Sequence, residues 1–184
     1  MNIGVVSKRY AKALLDFAMA RGNEEKVYSE VETLAGHFAS VPELKRTVEN
    51  PVVTRKVKLE LLVEASGGKN VSEEMKRFLQ LVIDGKREKF LHFMTWSFID
   101  QYRDRKHILM GKLTTAVEAP GLVKHLEKIG SLKTDSKVVI KSKIDPSIIG
   151  GYIMEIDGYR LDASVANQLR NIRRQFIDKN RRIV

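Results

Sequence analysis

Cysteine is absent from this 184-residue chain, which removes disulfides, thiol nucleophiles and cysteine-ligated metals together. No apolar run approaches the ~18 uninterrupted residues that a membrane-spanning helix needs, so the expectation is a soluble or peripheral protein. The opening MNIGVVSKRYAKALLDFA has only a very short apolar run before Lys8 and Arg9, with no hydrophobic signal core. A long Arg/Ser-rich presequence is missing too, which favours a bacterial protein or one already processed. Acidic residues are outnumbered, 23 against 33 lysines and arginines, for a net charge of +10. Such a surface attracts nucleic acid, anionic lipid or an acidic protein face. The excess is spread over many segments rather than gathered in one block, which equally describes an ordinary solvated surface.

An apolar fraction of 43% is enough for a core and too high for a disordered chain. Up to about residue 107 the apolar spacing is helical. Tyr10, Ala13, Leu14, Phe17 and Ala18 share one face of a first helix, and Ala11 and Leu15 add a second edge. Gly22-Asn23 separates it from a stripe of Val27, Val31, Leu34, Ala35 and Phe38. Pro42 suits the first turn of a short third helix, and Asn50-Pro51 breaks the chain. Thr54 is placed to cap a fourth helix bearing Val57, Leu61, Leu62 and Ala65, stopped by Gly67-Gly68. Ser72 is placed to cap a fifth, with Glu73 and Glu74 against its positive end and Met75, Phe78, Leu79, Val82 and Ile83 as its face. The sixth is predicted from about residue 87 to 107, about 30 Å long, with Leu91, Met94, Phe98 and Tyr102 along one side. None would be stable alone, so an antiparallel bundle is expected.

Beyond Ile108 the pattern changes. Leu109, Leu113 and Val117, with Thr115 between them, alternate as a strand does. Ala119-Pro120-Gly121 starts a helix with Leu122, Leu126 and Ile129 inward, and 137–144 alternates again through Val138, Ile140 and Ile144. Residues 152–156 and 159–161 flank Asp157-Gly158, a strong hairpin signal. Ser164 or Asp162 caps a last helix with Val165, Leu169, Ile172 and Phe176 in a stripe. The fold class is therefore α+β: an N-terminal six-helix bundle over 1–107 followed by a small C-terminal α/β domain over 108–184.

No catalytic constellation emerges. His37, His92, His107 and His125 offer no pair at ligand spacing on one helix face, so no metal is expected. Asp145, Asp157 and Asp162 are close in sequence, but turn, hairpin and cap account for each. Gly150-Gly151 leads into a strand rather than a helix, which suits a close backbone approach better than a phosphate cradle. With no Walker or dinucleotide fingerprint, no cofactor is expected and an enzyme is the least favoured reading. Two features invite partners. Small side chains in Tyr10-Ala11-Lys12-Ala13-Leu14, beside an apolar fifth helix, would open a groove for an amphipathic helix, unless the two simply pack together. Around the last stripe stand Arg170, Arg173, Arg174, Lys179, Arg181 and Arg182, fit for an acidic or helical partner, for nucleic acid, or for a frayed tail.

The chain resembles the delta subunit of bacterial F-type ATP synthases, related to mitochondrial oligomycin-sensitivity-conferring protein. The likeness rests on Arg9-Tyr10-Ala11-Lys12-Ala13-Leu14 with Phe17-Ala18, on Asp84-Gly85-Lys86-Arg87, and on Asp145, Ser147, Gly151, Gly158, Asp162, Ser164 and Leu169. Ala163 stands where that family commonly has glycine, Asp157-Gly158 reverses the usual order, and Arg160 replaces an apolar residue. The resemblance implies a non-catalytic stator subunit, one copy per complex, peripheral on the cytoplasmic face of the bacterial inner membrane. It implies a groove between the first and fifth helices for the alpha subunit's N-terminal helix, at Tyr10, Ala13, Leu14, Phe17, Phe78, Leu79 and Val82. It further implies that the closing helix, led by Leu169, Ile172 and Phe176, holds the b subunits of the peripheral stalk. The alternative from charge alone is a basic nucleic-acid-binding protein, which lacks the aromatic platform and Gly-x-x-Gly clamp of the RNA readers.

Overall fold

The computed structural model describes residues 3–134 and 136–181, and the chain divides into one unit up to Arg105 and another from Lys106. The first unit holds α1 (Ile3–Ala20), α2 (Glu24–Ser40), α3 (Pro42–Glu49), α4 (Arg55–Ala65), α5 (Glu73–Asp84) and α6 (Leu91–Arg105). Its core is layered from Ala11, Leu15 and Ala18 of α1, Val27, Val31 and Leu34 of α2, and Leu91, Met94 and Phe98 of α6, all at most 1% exposed. The two alanines matter because a small side chain lets α1 lie close against its neighbours.

Local chemistry explains most boundaries. Pro42 occupies the start of α3. The Ser72 hydroxyl accepts from the Met75 amide at 3.3 Å and donates to Glu30 Oε2 at 2.6 Å. The other Glu30 oxygen accepts from the Ser72 amide at 2.7 Å, so the α5 cap is tied to α2 by a buried carboxylate. Thr54 precedes α4 in extended geometry, but its side chain makes no cap bond.

Two helical expectations need correction. The sixth helix starts at Leu91, not at 87, because Glu88–Phe90 form a separate 3-10 turn, and it stops at Arg105 ahead of His107, which has φ +51°. With 15 residues it is about 22 Å long. In α4 the inward residues are Lys58 and Leu62, while Val57 is 50% exposed. Lys58 Nζ lies 3.1 Å from Glu88 Oε1, so an ion pair satisfies the buried ammonium.

The second unit is a four-stranded sheet in the order β2-β1-β3-β4, from β1 (Ile108–Thr115), β2 (Lys137–Ile144), β3 (Gly151–Ile156) and β4 (Tyr159–Ser164). β1 and β2 are parallel and are joined through α7 (Pro120–Thr134); the other two pairings are antiparallel. Leu113, Val138 and Ile140 form the core beneath Leu122, Val123 and Leu126 of α7. Ile129 is 37% exposed rather than inward. The residue that meets the sheet there is Gly130, where a Cβ would come 2.9 Å from Val138 Cγ2. Val117 lies past the end of β1 and is 71% exposed, and Ile144 is 48% exposed.

Asp157 and Gly158, at φ +47° and +79°, make the tight turn that pairs Ile156 with Tyr159. Gly151 has φ +72°, and a Cβ there would strike the Ala163 carbonyl. Its side-chain-free surface is the close backbone approach expected of Gly150-Gly151. Ser164 caps α8 (Val165–Arg181): its hydroxyl accepts from the Asn167 amide at 3.2 Å and donates to Asp162 at 2.6 Å. Tyr159, Arg160 and Leu161 leave one stretch of β4 exposed, with Arg160 3.4 Å from Glu155 across the strand pair.

Candidate functional site

α1 and α5 run antiparallel. The Tyr10 hydroxyl sits at the C-terminal end of α5, 3.6 Å from where a Gly85 Cβ would stand. Arg21, just past the other end of α1, reaches Glu74 in the first turn of α5 at 3.5 Å. Between them lies a groove of about 310 Å³ lined by Tyr10, Ala13, Leu14, Phe17, Glu74, Arg77, Phe78 and Leu81. Ala13 is exposed while Leu14 is buried beside it, so a methyl group, flanked by rings, leaves room for a guest side chain.

Of the seven residues expected here, the structure brings five together: Tyr10, Ala13, Leu14, Phe17 and Phe78. Leu79 and Val82 are corrected. Both are completely buried, in the bundle core and not in the groove. At about 100° per residue, Met75, Leu79, Val82 and Ile83 point one way from α5, while Glu74, Arg77 and Leu81 point the other and Phe78 stands near the border. Leu81, 57% exposed, is the lining residue missed. Its signal was an apolar side chain on α5 outside an already complete core stripe.

Charge is arranged along the groove. The Arg21 guanidinium lies 4.9 Å from the Phe17 ring centroid and that of Arg87 lies 5.3 Å from Tyr10, each a cation over an aromatic face. Glu74 is 2% exposed. Its own backbone N–H holds the carboxyl below the usual range, helped by Asn23 and Arg21 and opposed by burial. Asn23 Nδ2 donates to Glu74 at 3.2 Å.

The second set of expected residues stands on α8. Leu169, Ile172 and Phe176 are 52%, 49% and 65% exposed, and Ile177, not anticipated, is 46% exposed. Arg170, Arg173 and Arg174 are exposed with them; Arg182 and the side chains of Lys179 and Arg181 lie outside the described residues. Asp145 and Asp162 are turn and cap groups, each accepting from the hydroxyl and amide of the serine two residues on. Those bonds hold both carboxyls below their ordinary range. Among the described residues no cluster of three or more His, Asp or Glu side chains is placed to hold a metal. No helix among them is long and apolar enough to cross a membrane.

A helical unit followed by a small mixed sheet with a crossover helix and a terminal helix is a known architecture. It matches a chain in the cryo-EM structure of the Toxoplasma gondii mitochondrial ATP synthase hexamer with a TM-score of 0.64 at 22% identity, over 93% of this chain and 97% of that one. By sequence, ATP synthase subunit delta of Phocaeicola vulgatus is 51% identical and that of Bacteroides fragilis 42% identical, each over 100% of both chains. Residues 6–176 match the family described as ATP synthase delta (OSCP) subunit. The chain belongs to that family, whose members are stator subunits of F-type ATP synthases.

Proposed function

We propose that this subunit ties the catalytic head of the enzyme to its peripheral stalk, so that the head is held still while the central rotor turns. The α1–α5 groove accepts the N-terminal helix of an alpha subunit, and the exposed stripe of α8 holds the distal ends of the b subunits. One copy serves each complex, peripheral on the cytoplasmic face of a bacterial inner membrane, without nucleic acid and without chemistry of its own. The observation that carries this reading is the groove: an apolar slot, open to solvent, between two antiparallel helices and lined by Tyr10, Ala13, Leu14, Phe17, Phe78 and Leu81. An amphipathic helix is the secondary structure that fills such a slot, with anchors at i, i+3, i+4 and i+7. Burial at about 25 cal/mol per Å² favours docking, less the cost of ordering the guest.

The test is a titration of the full chain with a synthetic peptide of the cognate alpha subunit's N-terminal helix, followed by amide chemical shifts, with random DNA duplex titrated in parallel. Saturable shifts on α1 and α5, with none from the duplex, are expected. Salt-sensitive duplex binding without peptide binding would replace the stator reading with the nucleic-acid one.

A further inference from the structure

The two ends of the groove differ in charge balance. At one end Arg21 is already matched by Glu74, 3.5 Å away and almost fully buried. At the other, Arg87 lies over Tyr10 just beyond the α5 C-terminus, and the nearby acid, Asp84, pairs instead with Arg55 at 3.5 Å. Arg77, on the groove wall one turn along α5 from Glu74, is exposed and stands nearer the Arg21 end. Among the described residues neither Arg77 nor Arg87 has a carboxylate partner. An amphipathic helix could bury the same apolar stripe in either of two opposite directions. The apolar slot discriminates weakly between them, because dispersion and burial have no sign. Charge does discriminate: a carboxylate at the Arg87 end meets an unmatched guanidinium with no acid lining the groove beside it, whereas one at the Arg21 end approaches the Glu74 carboxylate as well as Arg21 and Arg77.

From this asymmetry we infer that Arg87 recognises a carboxylate on the docked helix and so fixes which way round that helix lies. The inference rests on the groove reading above and specifies the guest: an amphipathic helix whose acidic end sits beside Tyr10 and Gly85. The planar guanidinium suits the task, since it stacks on an aromatic face while its edge N–H groups remain available for a carboxylate.

The experiment uses the full chain and the alpha-subunit peptide, with calorimetric titration at low and high salt. Arg87→Glu is compared with Ala13→Glu, which blocks the slot, and with Arg46→Glu, an equal change of net charge on α3 away from the groove. Far-UV circular dichroism confirms that each variant is folded. Arg87→Glu is expected to weaken binding about tenfold at low salt, with the difference shrinking at high salt, and Arg46→Glu to stay within about twofold. A nitroxide on the acidic end of the peptide should broaden the Gly85 amide and spare Asn23, a preference lost in Arg87→Glu. Undiminished binding by Arg87→Glu, or an equal loss in Arg46→Glu, sinks the inference while leaving the groove intact if Ala13→Glu no longer binds. If the wild-type chain does not bind, or Ala13→Glu binds as well as wild type, the groove reading fails and this inference falls with it.

Discussion

At Ala13 the difference between an open slot and a filled one is a single small side chain. Its neighbours Tyr10 and Phe17 are half-buried walls, so a glutamate there would put a carboxylate where an apolar guest should sit. Ala13→Glu is expected to lower affinity for the alpha peptide at least about tenfold, from the desolvation of an unpaired charge, while the melting temperature stays close to wild type because Ala13 is exposed. Unchanged peptide affinity in the folded variant would put the guest outside the slot that Ala13 lines, and the groove reading would fail. Glu74 supports a different prediction. Its folded carboxyl titrates below the ordinary value of 4.5, so its stabilising contribution is present above that value and is lost as pH falls through the lowered one. Glu74→Gln should therefore be less stable than wild type at pH 7 by urea midpoint, and the gap should close under strongly acid conditions. A gap independent of pH would mean that the contacts of Glu74 with its own backbone N–H, and after it with Asn23 and Arg21, do not depend on the charge.

Among the elements, the hairpin between β3 and β4 and the cap that follows it were legible because their signals are local: Asp157-Gly158 at the turn, and Asp162 with Ser164 at the start of α8. Gly151 shows the same logic under closer constraint. It needs a positive φ and leaves no room for a Cβ beside the Ala163 carbonyl. Gly151→Ala is expected to cost about 2 kcal/mol or more through strain and collision together. Hydrogen exchange should show the loss in β3 and β4 while amides of α1 and α6 keep their protection; uniform loss would mean that the two units unfold as one. The sixth helix was harder to read. Nothing in 87–90 forbids a helix, and Leu91 continues the stripe, yet left-handed φ at Lys86 and the ion pair of Glu88 with Lys58 turn the chain before α6 begins. The ion pair comes from α4, about 30 residues earlier in the chain, and the turn at Lys86 from bonds back to the carbonyls of Ile83 and Val82.

On the scale of the whole molecule, the first unit presents the apolar groove and the second the exposed apolar stripe of α8. The proposed linkage requires that they act independently. Phe176→Asp is expected to fold normally, since Phe176 is 65% exposed, to lose capture of a soluble b-subunit fragment, and to keep full affinity for the alpha peptide. Loss of both interactions would argue against separate docking surfaces. What the sequence by itself determined was the order and kind of elements, the hairpin, the cap at Ser72, a cap at Ser164 or Asp162 and the family, because periodicity, turn chemistry and motif spacing are written along the chain. Only the tertiary structure decided that Leu79 and Val82 belong to the core, that Leu81 opens onto the groove and that Lys58 is buried. Those assignments depend on which side of each helix meets a neighbour, and periodicity alone identifies an apolar face without saying what covers it.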